Sequence, residues 1–421
     1  MTSTLYSNES RGQMKKKIAI IAPGYAWLPG ESGTSRFSYL AGFLAENGYD
    51  VDLIGSTFQH FKKAPRDIKK LKAMDLPYNL IFIEEPGYKK NVDIRRIYSN
   101  YIETKNTIKY LKNNIQKYDL IYCVIPPNVL SAKVGKVCKK NHVPYIVDVE
   151  DLWPEAMKMV FKVPVLSNIM FCPYWRDAET TYKYADGVVG TSDEYTMRAF
   201  KKREQNIPSA TVYVGTEVDI FDEGVCKYSN EFTKKPGEFW VTYAGSIGAS
   251  YDIKTLIDAA HVLLKEGKEN IKFYILGTGS LKEEMEEYAK SKGCSNVKFL
   301  GYVAYPKMAA FLTKSDVLIN SYIKNAPQSI VTKIGDYLSA EKPMINTCES
   351  PEFCKMVETD GFGINVEAEN RDALVDGIMK LYEDEQLRKD MSAKARKCAE
   401  EKFDRKNAYR KIVEMVEKLT R

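Results

Sequence analysis

The sequence predicts an α/β protein of two doubly wound domains, each built on a Rossmann-like parallel sheet. Its 421 residues are enough to form two hydrophobic cores. Short apolar runs alternate with segments of helical periodicity, which is the pattern of consecutive βαβ units. The alternation stops in a polar segment, 217–238, and then begins again. Two successive halves of the same class therefore predict two similar domains.

In the first half, continuous apolar runs predict strands that are covered on both faces, as in a parallel sheet. A helix with apolar residues at Phe37, Leu40 and Leu44 separates the first two and ends near Gly48, which can supply its C-cap. We expect a disordered tail over 1–13 and a first domain over 14–216. The predicted strands are 18–22, 51–54, 80–83, 120–124, 145–149 and 187–190.

In the second half the same pattern predicts a linker over 217–238, a domain over 239–402 and a C-terminal helix over 403–421. Ligands of parallel α/β sheets bind beyond the carboxyl ends of the strands. We therefore expect a site in a cleft between the two domains. The predicted strands are 240–243, 271–276, 297–300, 317–320 and 343–346.

Composition excludes several classes of protein. A hydrophobic content of 44% with 28% charged residues is that of a folded globular chain. No apolar run approaches the roughly 20 residues that cross a bilayer, and the polar start does not resemble a secretory signal. The eight cysteines include no Cys-x-x-Cys pair, so neither a disulfide framework nor a zinc site is predicted. We expect a cytoplasmic protein with free thiols.

Positive charge is concentrated in one part of the chain. Segment 58–117 holds 14 Lys and Arg against 6 Asp and Glu, an excess larger than the net charge of +6 of the whole chain. Such a patch favours an anionic partner, such as the inner face of the cell membrane, or it is simply a solvated helical face. Nucleic acid is not expected as a partner, because the patch lacks the interleaved aromatic residues of a recognised binding module.

Two motifs of the first half follow predicted strands. The loop 29–36 brings glycines to the start of a helix, where free N–H groups attract anions, and Gly33 is its candidate contact. Asp148, Glu150 and Asp151 lie at the carboxyl end of the strand 145–149, where carboxylates are costly without a function or good partners. Glu150 and Asp151 are therefore candidate catalytic groups, and the alternative is helix capping and ion pairing within the loop.

The second half has glycine-bearing loops at the ends of its predicted strands, which suit phosphate binding through backbone amides. A later segment carries Lys333 and Asp336, three residues apart and so on one helical face. The alternative for that pair is an ordinary surface ion pair. The candidate phosphate contacts of the glycine-bearing loops are Ser246, Gly248, Gly277 and Gly279.

Together these motifs resemble the retaining family 4 glycosyltransferases of the GT-B fold, particularly the branch that assembles bacterial surface polysaccharides. The resemblance runs from about Ile18 to the C-terminus. It is carried by Asp-Leu-Trp-Pro-Glu at 151–155, by 213–221, by the glycine loops and by 328–336. It implies a C-terminal helix packed on the first domain and a reaction that needs neither cofactor nor metal.

The resemblance also implies the reaction and its partners. The donor would be a nucleoside diphosphate sugar, with a UDP-sugar expected, and the acceptor a hydroxyl of a glycan or polyprenyl-diphosphate-linked glycan. Transfer would proceed with retention at the anomeric carbon. Glu150, Asp151 and Lys333 would be the catalytic residues. The residues that would bind the donor are Gly33, Ser246, Gly248, Gly277, Gly279, Tyr302, Val303, Gln328, Thr332, Lys333 and Asp336.

The chain departs from the family pattern at several positions. Ser246 and Tyr251 stand where relatives carry an Arg and a Lys that clamp the diphosphate, and Gln328 replaces a Glu. Lys333 is therefore expected to supply the missing positive charge. The departures leave a non-catalytic partner subunit as an alternative. A sugar-nucleotide 2-epimerase of similar fold is disfavoured, because the chain has only 3 histidines for acid–base chemistry.

Overall fold

The structure is a computed structural model. It describes residues 15–24, 28–29, 31, 35–90, 93–155, 164–201, 206–326 and 330–421, with only the backbone considered for 164–170. The predicted tail 1–13 lies outside these residues. The chain divides into two compact units. The first runs to Gly190 and includes Tyr195–Ala210 and Lys411–Arg421, and the second comprises Thr191–Glu194 and Thr211–Arg410.

The first unit is built on a seven-stranded sheet whose spatial order is β5-β2-β1-β6-β7-β8-β9. Its neighbouring strands from β5 to β8 pair in parallel. A short antiparallel pair, β3 with β4, stands apart from it. The strands are β1 Lys17–Ile21, β2 Asp50–Ser56, β3 Phe58–Gln59, β4 Ala64–Pro65, β5 Asn79–Ile83, β6 Leu120–Ile125, β7 Tyr145–Val149, β8 Gly187–Gly190 and β9 Ser209–Thr211.

The second unit is built on a six-stranded parallel sheet of order β12-β11-β10-β13-β14-β15. One hydrophobic cluster lies on each face of this sheet, as expected for a doubly wound domain. The strands are β10 Phe239–Ala244, β11 Ile271–Leu276, β12 Val297–Gly301, β13 Val317–Asn320, β14 Met344–Asn346 and β15 Gly363–Asn365.

Helices connect the strands in both units. The helices are α1 Arg36–Glu46, α2 Ile68–Lys72, α3 Ile94–Asn114, α4 Asn128–Asn141, α5 Pro164–Tyr184, α6 Asp193–Arg198, α7 Val218–Tyr228, α8 Ile253–Lys265, α9 Lys282–Ser291, α10 Tyr305–Lys314, α11 Lys333–Ser339, α12 Pro351–Asp360, α13 Arg371–Glu383, α14 Glu385–Cys398, α15 Arg405–Ala408 and α16 Arg410–Thr420.

The strands predicted from the sequence are all present, so the α/β prediction is confirmed. The structure adds β3, β4, β9 and β15, each only two or three residues long. Segments of that length carry too little periodicity to be recognised, since a strand pattern needs about four to eight residues.

The predicted linker 217–238 is not structureless, because α7 occupies half of it. Val218, Phe221 and Gly224 form the buried side of that helix, and the Phe221 ring lies 6.5 Å from the ring of Tyr305. A Cβ added at Gly224 would stand 2.8 Å from the backbone of Pro306, so the helices α7 and α10 approach closely there. The helical periodicity of α7 was not recognised from the sequence, because its buried stripe includes a glycine and is surrounded by polar residues.

The C-terminal helix α16 belongs almost entirely to the first unit. Its buried residues are Ile412, Met415 and Val416. A Cβ added at Gly187 of β8 would lie 2.8 Å from Met415 Sδ, so glycine permits the helix to lie directly against the strand.

Candidate functional site

In the second unit, the loops after β10 and β11 run side by side at the carboxyl edge of the sheet. The amide of Gly245 donates to the carbonyl of Leu276 at 2.9 Å, and the amide of Ile247 donates to Thr278 at 2.9 Å. A Cβ at Gly277 would stand 1.8 Å from the Gly245 oxygen, and one at Gly279 would stand 2.1 Å from the Ile247 oxygen. Gly277 and Gly279 are therefore required for the packing of one loop on the other.

Ser246 and Gly248 lie on the open side of the same loop. Ser246 is exposed, and its carbonyl accepts a 2.7 Å hydrogen bond from the Tyr243 hydroxyl. A Cβ added at Gly248 would meet no atom within 4 Å among the described residues, so a ligand can approach this stretch of backbone. These are the positions of the loop that suit phosphate contact.

The Lys333 side chain enters a cage of three tyrosine rings at this edge. Its Nζ lies 4.6 Å from the ring centroid of Tyr243, 4.8 Å from that of Tyr251 and 4.9 Å from that of Tyr322. The helix α11 that carries it is tied to the end of β10, because the Tyr337 hydroxyl donates to the Ala244 carbonyl at 3.0 Å. The cage combines Tyr243 of β10, Tyr251 of the loop after β10 and Tyr322 of the loop after β13 with the start of α11.

The electrostatics of this cage are unusual for a lysine. Among the described residues, Lys333 Nζ is buried and has no hydrogen-bond partner. Burial lowers its pKa from 10.5 to about 7, against an opposing contribution from Cys348. The tyrosine faces offer the ammonium a cation–π attraction but no negative charge. A buried amine with no anionic partner suits a site that receives an anion.

Asp336, predicted with Lys333 on one helical face, points to different partners. Its Oδ1 accepts a 2.7 Å hydrogen bond from Thr216 Oγ1 and one of 2.8 Å from the Tyr305 hydroxyl. Burial raises the pKa of its carboxyl, against the lowering effect of these two bonds. The pair does not form the surface ion pair considered from the sequence.

We expect Asp336→Ala to destabilise the second unit by about 1–3 kcal/mol, since it removes the acceptor that the Thr216 and Tyr305 hydroxyls share and leaves only the 2.8 Å hydrogen bond between those two hydroxyls. Urea denaturation at neutral pH measures this loss. Asp336→Asn keeps an oxygen acceptor and is the matched control, which we expect to lose less. Equal stability of the alanine variant and the wild type would contradict the role of Asp336 in this network.

The remaining candidates of the second unit lie at its surface. The side chain of Tyr302 is 77% exposed, whereas Val303 packs partly against the core. Thr332 is exposed at the start of α11 and makes no capping hydrogen bond with its side chain. Two predicted contacts, Gly33 and Gln328, lie outside the described residues.

In the first unit, the carboxylates at the carboxyl end of β7 have partners. Arg36 Nε lies 2.8 Å from Asp148 Oδ2 and 2.9 Å from Glu150 Oε1. The Tyr122 hydroxyl also donates to Asp148 at 2.6 Å. Arg36 is 4% exposed and Asp148 is fully buried, so this is an internal ion pair that fixes the loop carrying Glu150.

Asp151 closes its own turn. Its carboxylate accepts hydrogen bonds from the Leu152 amide at 2.8 Å and from the Trp153 indole at 3.0 Å. Burial raises the pKa of Asp151. These are bonds within the loop, not the helix cap that the sequence offered as the alternative to catalysis.

A polar cavity in the first unit was missed from the sequence. Glu103 Oε1 is buried there and lacks a hydrogen-bond partner among the described residues. Burial, aided by the charge of Glu85, raises the pKa of Glu103 well above its usual range. The cavity lies where the loops after β1, β5, β6 and β7 meet α3, and among its lining residues are His60, Glu85, Tyr88, Arg96, Glu103 and Trp153. One sequence signal could have revealed it: the polar residues Ser99, Glu103 and Thr107 recur every four positions and so lie on one face of α3, which is buried.

The described residues contain no cluster of three or more His, Cys, Asp or Glu side chains that could hold a metal ion. No helix within the described ranges has the length and apolar character needed to span a membrane.

Comparison with known proteins finds matches to glycosyltransferases. Residues 227–398, which cover most of the second unit, match the family model described as "Glycosyl transferases group 1". The chain is 26% identical over 197 residues to the Escherichia coli K12 protein WcaI, which carries the name of a colanic acid biosynthesis glycosyl transferase. That match covers 46% of this chain and 47% of WcaI, so the chain spans about half the length of this relative.

Solved structures extend the likeness to nearly the whole chain. Anabaena Alr3699/HepE in complex with UDP superposes with a TM-score of 0.67 at 15% identity, over 96% of this chain and 100% of that one. WaaG, a glycosyltransferase involved in lipopolysaccharide biosynthesis, gives a TM-score of 0.64 at 15% identity, over 93% and 98% of the two chains. The predicted fold, GT-B with two Rossmann-like domains, is confirmed.

Proposed function

We propose that this chain is a glycosyltransferase that moves a sugar from a nucleoside diphosphate sugar to a hydroxyl of a glycan or lipid-linked acceptor. The observation that carries the proposal is the buried Lys333 ammonium, held by three tyrosine rings beside the open backbone of Ser246 and Gly248. The family match of residues 227–398 and the UDP complex of a structural neighbour support a nucleotide-sugar donor, and we expect a UDP-sugar.

The chemistry follows from the leaving group. When the bond from the anomeric carbon to the diphosphate breaks, negative charge develops on the phosphate oxygen. Lys333 and the backbone amides near Ser246 and Gly248 would stabilise that charge, and a preorganised donor in a water-poor site is effective at this task. This replaces the Arg and Lys clamp that the chain lacks, and it requires no metal ion.

Retention follows if the departing phosphate takes the proton of the acceptor hydroxyl on the same face of the sugar. That route needs no histidine base. Glu150, held by Arg36, would orient the acceptor or the positively charged sugar, whereas Asp151 would hold the turn. Because the described bonds of Asp336 engage only Oδ1, its Oδ2 would accept a ribose hydroxyl.

The first unit would bind the acceptor. Its polar cavity combines aromatic rings with hydrogen-bonding groups, but its interior has room for about one water molecule, so a sugar or its linked phosphate would bind at the mouth of the cavity rather than inside it. A lipid-linked acceptor would bring the protein to the inner face of the cell membrane, in keeping with the positive excess of segment 58–117.

We expect one nucleotide class to bind when the protein is screened calorimetrically against UDP-, GDP- and ADP-sugars, and we expect the uridine class. Slow hydrolysis of the bound donor, followed by release of the nucleoside diphosphate, then tests for chemistry. Binding without hydrolysis or transfer would contradict catalysis and favour a non-catalytic partner subunit. Binding of none of the three classes would contradict the donor assignment itself.

A further inference from the structure

In the first half of α3, the apolar face points outward and the polar face points inward, the reverse of an ordinary surface helix. Four of its outward residues are apolar or aromatic: Ile94 is 84% exposed, Ile97 65%, and Tyr98 and Tyr101 57% each. They follow the spacing i, i+3, i+4 and i+7, which places them on one face. In a helix that covers a core, such a stripe points inward. Here it faces solvent.

The inward face of the same helix is polar and hydrogen-bonded. Ser99 Oγ donates to Glu85 Oε2 at 2.6 Å and accepts from the Gly87 amide at 2.9 Å. Glu103 is 3% exposed and lines the cavity, and Thr107 is fully buried. These bonds fix the rotation of the helix, so its apolar stripe is held on the outside.

The apolar surface extends beyond the helix. Phe61 is 50% exposed, and its ring lies 5.2 Å from the ring of His60. His60 hydrogen-bonds to the Tyr88 hydroxyl, and the Arg96 guanidinium lies 5.6 Å from the Tyr88 ring. This chain of contacts places Phe61 near the start of α3.

Basic residues surround these side chains. Lys89, Lys90 and Arg95 are exposed beside the start of α3, and Lys62 follows Phe61. The outward stripe of α3 then continues as Lys105, Lys109 and Lys112. Lysine is depleted from the cores of protein–protein interfaces. A stripe of isoleucine and tyrosine bordered by lysine is instead the pattern of helices that lie at an anionic membrane surface.

We propose that a docking face, formed by Phe61, Ile94, Ile97, Tyr98 and Tyr101 with their flanking lysines, binds an anionic bilayer surface. The apolar side chains enter the boundary between headgroups and acyl chains, while the lysines contact the lipid phosphates. The proposal deepens the proposed function and rests on it for the lipid-linked acceptor. The docking face itself rests on the exposure of these apolar side chains and on the positive charge around them.

Docking in this way has a geometric consequence for the cavity. The polar face of α3 lines the cavity and its apolar face meets the lipid, and the two are separated by about one helix diameter, 10 Å. A headgroup carried on a lipid chain is therefore within reach of the cavity.

The test is co-sedimentation of the full chain with vesicles of phosphatidylcholine alone or of equimolar phosphatidylcholine and phosphatidylglycerol. We expect binding to the anionic vesicles only, weakened about tenfold or more by Ile94→Ser with Ile97→Ser, and similarly by Lys89→Glu with Lys90→Glu. Ile220→Ser and the pair Lys265→Glu with Lys290→Glu alter comparable exposed positions of the second unit and serve as matched controls. All variants should melt at the wild-type temperature, since the positions are exposed.

Equal binding to both kinds of vesicle, or equal binding by the test variants and their controls, overturns the proposal. So does self-association of the wild type that Ile94→Ser with Ile97→Ser abolishes, because the face would then belong to a second copy. Donor hydrolysis is measured without lipid for each variant. Loss of vesicle binding with unchanged hydrolysis supports the docking face, whereas vesicle binding by a protein that binds no donor refutes only the proposed function.

Discussion

Lys333→Met lowers donor turnover by about 100- to 1000-fold and leaves the protein folded, because it removes the buried charge that stabilises the leaving diphosphate. Methionine fills similar space inside the tyrosine cage and carries no charge. We expect the loss mainly in kcat, measured as donor hydrolysis and as transfer. Phe substitutions of the cage tyrosines keep the aromatic faces and serve as controls. Turnover within a few fold of wild type in Lys333→Met would remove Lys333 from the site.

The same lysine predicts how binding depends on pH. With its pKa lowered to about 7, Lys333 loses its proton as the pH rises above neutrality, and a diphosphate prefers the protonated form. We therefore expect affinity for a nucleotide sugar to be highest below pH 7 and to fall up to about tenfold per pH unit above it. A sugar nucleotide suits the experiment because its diphosphate ester does not titrate near neutrality. In Lys333→Met this dependence should disappear.

As the pH rises, the stability of the fold should change in the opposite direction to the affinity for the nucleotide sugar. The folded-state pKa of Lys333 lies below its unfolded value of 10.5, so the unfolded chain binds more protons between about pH 7 and that value. Lys333 thus destabilises the fold fully below pH 7 and progressively less as the pH rises. We expect Lys333→Met to be more stable than wild type at pH 6, by roughly 1–4 kcal/mol. A melting temperature below that of wild type at this pH would contradict the buried charge.

Arg36→Met should destabilise the first unit by about 3–5 kcal/mol, because it removes the guanidinium that neutralises the fully buried Asp148. Removing one member of a buried ion pair leaves a charge in a medium of low dielectric constant. Chemical denaturation, followed separately for the two units, measures the effect.

The double variant Arg36→Met with Asp148→Asn is the control for Arg36→Met. It removes both charges and should recover much of the lost stability, since the Tyr122 hydroxyl can still donate to the amide oxygen at position 148. If the double variant is no more stable than Arg36→Met, the ion pair is not the source of the loss.

The fold could be predicted from the sequence because parallel strands that are covered on both faces produce continuous apolar runs. β7 and β8 are fully buried and were predicted at their observed bounds. The helix α7 escaped prediction because its buried stripe of Val218, Phe221 and Gly224 is short and includes a residue without a side chain. The periodicity of this segment alone does not indicate that α10 packs against α7.

The site could be predicted only in part. Glycines at strand ends predicted ligand contacts in these loops, yet Gly277 and Gly279 are needed for the contact between the loops. The tyrosine cage joins Tyr243, Tyr251 and Tyr322, which are separated by up to 79 positions and come together only when the sheet forms. The partners of Asp336 were unpredictable for the same reason, since Thr216 lies 120 positions away.

The interlocked glycine loops set a limit on protein engineering. Any side chain at Gly277 or Gly279 would collide with the neighbouring backbone, so libraries that vary these positions will return unfolded protein rather than new donor preferences. Variation is tolerated at Tyr302, which is exposed, and at Gly248, where the space beside the backbone is open. To change the preferred donor sugar or base, one should therefore vary the side chains around the two packed loops and leave Gly277 and Gly279 unchanged.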